Sequence, residues 1–463
     1  MKRESEQNQT VYNIIGSFLI GGINFFTAPI FTRMLGTEQY GRFSVAFSWV
    51  SLFICIMGFQ TKEALATGHI DFKNDYKAFR NSTLLLGFCI SSLEIILVVL
   101  FLKPFSSFLG YSQRFTLIIL LTALSASVYA FAQQTFIFEK KAQINLILSV
   151  SLVLLIVALS LLFIRMLPEQ EKYIGRILGF TVPYTLSAVI CCCFFAREGA
   201  VHYNSDYWRY SLTLGLPIIF HELSKEVLGQ TDKVMMQQLQ VDTAEIGIYS
   251  FFLALTGVLS MVREALNKSW RPFYYDYLYA EDYDTLHLKC RNHIELFSLV
   301  ACAFMLAAKE VSFIMAGEAY QKGLFVLPIT VWCVYFTFIH QFPVNFELYH
   351  KKTRIVAGGT VLAAAFNIGL NAVLIPVFGM YGAGVATAVS YLLLAVGHFV
   401  VASHLKESKY HLSAVAFLPG ICALLISTFV FYQFNDLWLL RWSIAVLLGC
   451  YEMTKIVKRK SVF

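Results

Sequence analysis

Apolar residues fall along this chain in long blocks separated by short polar breaks. A helix needs about 20 mostly apolar residues to cross the hydrocarbon core of a bilayer. The blocks predict fourteen such spans, at 11–33, 43–60, 82–102, 115–137, 142–164, 174–196, 211–236, 246–266, 291–315, 324–346, 356–378, 381–402, 412–434 and 437–457. Span 211–236 is the least apolar of them. The longest breaks, 61–81 and 267–290, are too short to fold as domains of their own. The fold class this predicts is an all-α integral membrane protein of about fourteen transmembrane helices.

An even number of spans puts both ends on one side, and basic residues choose the side. Of the 36 Lys and Arg residues, 23 lie on the breaks and ends that share a side with the N-terminus and 10 on the other side. Both termini are therefore expected in the cytoplasm. This distribution also accounts for the net charge of +7, which by itself would invite a nucleic-acid reading; no nucleic-acid partner is expected. Charged residues are 14% and hydrophobic ones 57% of the chain, against about 25% charged in soluble domains. The polar start, Met1 to Thr10, runs directly into the first span without a small-residue cleavage site, so that span reads as retained. The ten Cys show no CxxC or Cys/His spacing and include the apolar run Cys191 to Cys193, so neither a disulfide framework nor a metal site is expected.

Two segments echo each other. Thr37-Glu38-Gln39-Tyr40-Gly41-Arg42-Phe43-Ser44 leads into the second span, and Thr243-Ala244-Glu245-Ile246-Gly247-Ile248-Tyr249-Ser250 leads into the eighth. Aligning Gly41 with Gly247 pairs Thr with Thr, an aromatic with an aromatic and Ser with Ser. A weaker echo sets Gly175 and Gly179, at the start of the sixth span, against Gly379 and Gly382, before the twelfth helix. Repeats six spans apart have the same orientation, a transporter architecture with its substrate site between halves.

The stretch from Asn367 to Thr387 carries the most specific pattern. Asn367 and Asn371 stand one helical turn apart, Pro376 closes the helix, Gly379 and Gly382 make the turn, and Gly384, Ala386 and Ala388 follow. Small residues at this spacing let membrane helices approach closely. With Pro29 through Gly41, and Asp232-Lys233 ahead of Gly247-x-Tyr249-Ser250, it closely resembles the polysaccharide flippases of the multidrug/oligosaccharidyl-lipid/polysaccharide (MOP) exporter superfamily. Lys233 stands where that pattern has Arg. The resemblance implies two parallel-repeat six-helix lobes around a central cavity, at 1–200 and 201–403, with two additional helices in 404–463.

Charged side chains are costly inside a bilayer and usually face a cavity or a partner. Span 211–236 holds His221, Glu222, Lys225, Glu226, Asp232 and Lys233. Glu222, Glu226 and Lys233 share a face, and His221 and Lys225 form an adjoining i, i+4 pair. The plainer reading is that a glutamate merely neutralises Lys225. In the eighth span Thr256, Ser260, Arg263 and Asn267 form a polar stripe, with snorkelling of Arg263 to the interface as its bland alternative. Asn13, Ser17, Asn24 and Thr27 form a comparable stripe in the first span, where Pro29 is expected to kink the helix and Arg33 stands at the outer end. Glu94 is alone in an apolar run and reads either as a proton carrier or as a hydrogen-bonding partner to a neighbouring helix. Lys62, Glu63 and Glu347 read as gate or interface charges, and His340 and His398 as packing groups.

Nothing here resembles a hydrolase motif or a phosphate-cradling glycine loop, and a non-enzymatic transporter is expected. The resemblance implies a flippase for polyprenyl-pyrophosphate-linked oligosaccharide repeat units in capsule, exopolysaccharide or O-antigen assembly, working by alternating access. Asn24, Arg33, Lys225, Lys233, Ser260, Arg263 and Asn267 are the substrate-binding candidates. Glu94, Glu222, Glu226 and Asp232 are candidates for coupling to protons or Na⁺; no other cofactor is expected. The implied partners are the lipid-linked glycan and membrane lipid, with a glycan polymerase and export machinery as further candidates. A MATE-like drug or metabolite cation antiporter and a lipid II flippase are the alternatives in the same superfamily, and a glycan polymerase is the alternative outside it.

Overall fold

The computed structural model describes residues 6–405 and 412–459, and among these residues it is all helical, with no strand. The helices are α1 (Glu6–Ile56), α2 (Leu65–Asp71), α3 (Tyr76–Leu100), α4 (Leu102–Leu109), α5 (Gln113–Phe138), α6 (Ala142–Met166), α7 (Lys172–Glu198) and α8 (Ser205–Gln238). They continue with α9 (Thr243–Tyr279), α10 (Tyr283–Met315), α11 (Leu327–Tyr349), α12 (Thr353–His404), α13 (Leu418–Gln433) and α14 (Trp438–Arg459). Ten helical stretches are long and apolar enough to cross a membrane. Two of these, Leu19–Asp71 and Thr353–His404, each contain two of the predicted spans. Spans 211–236 and 437–457 correspond to α8 and α14, whose charged residues lower their overall hydropathy. The fourteen predicted spans thus each fall on a helical leg.

The two longest helices are broken by glycine. The backbone of α1 leaves the helical region at Gly36, with φ 65°. Pro29 lies inside the helix, seven residues before this break. In α12 the break is at Gly379, with φ 54° and ψ −130°, a conformation that a side chain makes costly. The two legs of α12 form an antiparallel hairpin. Asn367 Nδ2 donates to Thr387 Oγ1 at 3.1 Å, Asn371 Nδ2 donates to Asn367 Oδ1 at 3.1 Å, and all three residues are buried. Gly382 lies against the Leu374 and Ile375 backbone, where a Cβ would be 3.0 Å from the Ile375 nitrogen. The counterpart in the first half behaves alike: α7 lays Gly175 against Phe163 and Ile164 and Gly179 against Ser160 of α6. The weaker glycine echo thus marks two helix pairs closed by the same device.

The chain divides into two compact units, Met1–Gly247 and Ile248–Phe463. The repeat groups α8 with the later helices, whereas its packing places it in the first unit, against α1 and the 3₁₀ segment Met57–Ala64. In the first unit an aromatic core of Phe79, Phe131, Phe136 and Phe195 is flanked by Phe72, Tyr207 and Tyr210. Hydroxyl pairs join its helices, among them Thr122 with Thr181 at 2.6 Å, Ser125 with Thr185 at 2.9 Å, and Thr83 with Ser211 at 3.0 Å. Such bonds suit a membrane interior, where no water competes for them. The outer faces carry exposed Leu93, Ile96, Leu97, Ile147, Leu154 and Leu162, the surface of a multi-pass membrane protein facing lipid.

In the second unit α13 and α14 pack on α10. Arg441, fully buried, binds Glu310; Lys309 binds Asp436 at 2.9 Å; Lys455 binds Glu295. Ion pairs at both ends of the contact, with the buried Ser298–Tyr335 hydroxyl pair at 2.8 Å linking α10 to α11, hold α10 as the centre of this unit.

Candidate functional site

Polar groups interrupt the apolar interior of each unit. In the first, Gly215 of α8 lies against the backbone of Phe59 and Gln60, which sets the charged middle of the helix beside a broken stretch of chain. Lys225 pairs with Glu222 at 2.9 Å, one turn back, rather than with His221, and its side chain is 59% exposed. Lys233 is held differently. Its ammonium donates to Gln230 Oε1 at 2.7 Å, and the same oxygen accepts from buried Ser48 of α1 at 3.1 Å. Asp232 is buried, and Glu226 stands within electrostatic reach of both lysines. Lys62 and Glu63 approach Glu222 and Lys225 from the 3₁₀ segment. The expected cluster therefore forms, with Lys225 largely neutralised and Lys233 held by an amide.

The broken stretch is a feature that sequence periodicity did not announce. Gly58, Phe59 and Gln60 are all left-handed, with φ of 68°, 49° and 52°. A non-glycine residue in this region costs on the order of 1–3 kcal/mol, so two in succession require support. Gln60 supplies part of it by donating from Nε2 to the Cys55 carbonyl at 2.8 Å. Glu94 of α3 lies beside Gly58, with its carboxylate against the Gly58 backbone. A cavity of about 30 Å³ adjoins the break, lined in part by Thr61, Ser91 and Ser127, which is room for about one water molecule.

In the second unit, the stripe of α9 meets α11. Asn345 Nδ2 donates to Asn267 Oδ1 at 2.9 Å. Arg263 is largely buried and contacts Glu264 at 3.2 Å, while its Nε has no hydrogen-bond partner. Helix α9 continues sixteen residues past Arg263 to Tyr279, about 24 Å at 1.5 Å per residue. Ser260 is half-buried on the same stripe. Beyond it, His398 of α12 meets Glu347 of α11 at 2.8 Å, with both side chains buried, and His340 lies against His398.

The first-span candidates are not drawn into either group. Asn24 and Arg33 are exposed, and the side chains of Asn13 and Ser17 lie outside the described residues. Two buried arginines that the sequence pattern does not single out are structural. Arg80 of α3 binds Glu139 at 2.8 Å and Glu198 at 2.9 Å, with the Phe195 ring 4.3 Å from its guanidinium carbon. Arg441 is the other. Neither shows in a periodicity, because their partners are 59 to 131 residues away.

Chemically, the two groups offer fixed cations (Lys233, Arg263), amides and hydroxyls inside otherwise apolar helices. The α8 group also holds the carboxylates Glu222, Glu226 and Asp232 close to its lysines. The sequence profile of the family described as polysaccharide biosynthesis protein matches residues 8–273. A protein of Haemophilus influenzae described as Lsg locus putative protein 1 is 23% identical over 385 residues, covering 78% of this chain and 88% of the relative. The structure of a lipid II flippase, MurJ, in an inward closed conformation is similar at a TM-score of 0.71 and 12% identity, covering 98% of this chain and 99% of that one. An inward-facing multidrug resistance MATE family transporter of the MOP superfamily is similar at a TM-score of 0.57 and 14% identity, covering 90% and 95%. At these identities the likeness to solved structures is one of fold, and the fold is that of the MOP transporters.

Proposed function

Since the chain belongs to the polysaccharide biosynthesis protein family, we propose that it flips polyprenyl-pyrophosphate-linked oligosaccharide repeat units across the bacterial cytoplasmic membrane, without acting as an enzyme. The observation that carries this reading is the family match over residues 8–273 on a chain whose whole length has a flippase-like fold. The side chains support it. A pyrophosphate head group needs cations that do not drift, and Lys233 and Arg263 are held at fixed places within apolar helices. A glycan needs donors and acceptors, which Ser260, Asn267 and Asn345 supply, while the long lipid tail remains in the bilayer. Transport proceeds by alternating access, with both termini in the cytoplasm.

Deletion of the gene tests the reading: lipid-linked repeat units should accumulate on the cytoplasmic leaflet and surface polysaccharide should disappear. Normal export accompanied by altered drug tolerance would overturn it in favour of a cation antiporter. Reporter fusions at each end test the orientation, and an external reporter signal from either end would refute it.

A further inference from the structure

In the second unit His398, Glu347 and His340 come together, titratable side chains to which the proposed function gives no role. His398 Nδ1 of α12 lies 2.8 Å from Glu347 Oε2 of α11, with side-chain exposures of 2% and 0%. His340, two turns before Glu347 on α11, meets the His398 ring at 4.9 Å between centroids. Gly359, on the first leg of α12, makes room for the imidazole; a Cβ there would be 2.6 Å from His398 Nε2. Glu347 Oε1, His398 Nε2 and His340 Nε2 have no hydrogen-bond partner. Arg263 of α9 stands within electrostatic reach of His340, and Tyr391 of α12 within reach of Arg263.

The number of protons on the pair decides whether this packing survives. With one proton between them, Glu347 and His398 form a neutral couple, as carboxylate and imidazolium or as acid and imidazole. Removing that proton leaves a wholly buried carboxylate against a neutral ring, which must gain water or a cation. Adding a second leaves a net positive charge beside His340 and Arg263. The packed arrangement therefore accommodates one proton, and giving it up requires the legs of α11 and α12 to part. One carboxylate and two imidazoles do not suit Na⁺, which prefers several oxygen ligands, and among the described residues no three such groups converge as metal ligands.

We propose that His398 and Glu347 form a proton-binding site whose occupancy controls the packing of α11 against α12, and that this site couples a proton to the translocation step. Its part in transport rests on the flippase reading; the proton site itself does not. The test uses the purified full-length protein in lipid nanodiscs and needs no substrate. Amide hydrogen exchange, corrected for intrinsic rates, is followed across 327–404 between pH 5.5 and 8.5. In the wild type, exchange in α11 and in α12 should quicken by about tenfold across this range. Glu347→Gln and His398→Gln, which keep the shape without the exchangeable charge, should each abolish that pH dependence. A pH-invariant wild type overturns the proposal, as do variants that retain the wild-type profile. Should neither variant fold, the wild-type profile decides alone. Export after gene deletion tests the flippase reading separately, so the two can fail independently.

Discussion

Gly41 and Gly247 pack reciprocally. A Cβ added to Gly41 would run into the carbonyl oxygen of Thr243, and one added to Gly247 would run into that of Thr37. Each new carbon would also lie 2.9 Å from the other glycine's backbone nitrogen. The contact exchanges Thr37 with Thr243 and Gly41 with Gly247, which is the pairing of the sequence repeat. The echo between the two segments therefore has a physical cause: both must present a glycine to the same backbone crossing.

Alanine at either position forces backbone, not a flexible side chain, to move. Overpacking of this kind costs about 1–3 kcal/mol, so Gly41→Ala and Gly247→Ala should each lower the unfolding midpoint of the purified protein in detergent. The double variant should cost less than the sum, because one separation of the two backbones relieves both clashes. Additive losses, or single variants indistinguishable from wild type, would show that the crossing is looser than this geometry requires.

The Asn367–Asn371–Thr387 bonds make a contrasting case. Interhelical side-chain hydrogen bonds in membranes contribute only about 0.6–1.7 kcal/mol each. Asn367→Ala removes one such bond, to Thr387, and the bond it accepts from Asn371 one turn along the same leg, within a hairpin already closed by Gly382, so stability should fall by roughly 1–2 kcal/mol on that scale, while glycan export per folded molecule stays near wild type. A loss of export at constant protein level would move this hairpin from scaffold to substrate path.

Much of this fold was legible in the sequence because hydropathy encodes span length directly, and the fourteen legs and the α12 hairpin follow from it. The α9 stripe was legible too, since 3.6-residue spacing puts Thr256, Ser260, Arg263 and Asn267 on one face. What escaped depends on distant partners or on backbone. Arg80 and Arg441 are not singled out by the sequence pattern, and glutamates from other helices enclose them. Glu347 and His398 are 51 residues apart and carry no shared periodicity. The left-handed run at Gly58–Gln60 is supported by its neighbours, and Phe59 and Gln60 give no local sign of it. The break in α1 falls at Gly36, seven residues after Pro29, and hydropathy does not mark it.

The Arg80 network predicts a large and asymmetric response. Removing one partner of a buried ion pair costs about 3–5 kcal/mol, because the other charge is left uncompensated. Arg80→Ala strands two carboxylates, Glu139 and Glu198, whereas Glu139→Gln leaves Arg80 still paired with Glu198 at 2.9 Å. Lys141 also contacts both glutamates, but from a partly exposed position. Unfolding measured in detergent should therefore show Arg80→Ala as severe and Glu139→Gln as mild. Equal losses would mean that Lys141 carries the network instead.

The lysines of α8 are the sharpest test of which cations serve the substrate. Lys225 is mostly exposed and neutralised by Glu222 one turn away, and exposed pairs of this kind contribute little, about 0–1 kcal/mol. Lys233 and Arg263 sit deeper: Lys233 donates to an amide oxygen with Asp232 and Glu226 in electrostatic reach, and Arg263 contacts the exposed carboxylate of Glu264. Lys233→Gln and Arg263→Gln should therefore each reduce surface polysaccharide about tenfold or more, the equivalent of about 1.4 kcal/mol in one binding step. Lys225→Gln should leave export within about twofold of wild type, a difference of only a few tenths of a kcal/mol. Protein levels must be held equal by immunoblot, and lipid-linked repeat units should accumulate only in the first two variants. If Lys225→Gln proves as damaging as the others, the Glu222 pair is broken during the cycle and Lys225 belongs to the substrate path. If none of the three changes export, the head group is held elsewhere and the cationic assignment falls.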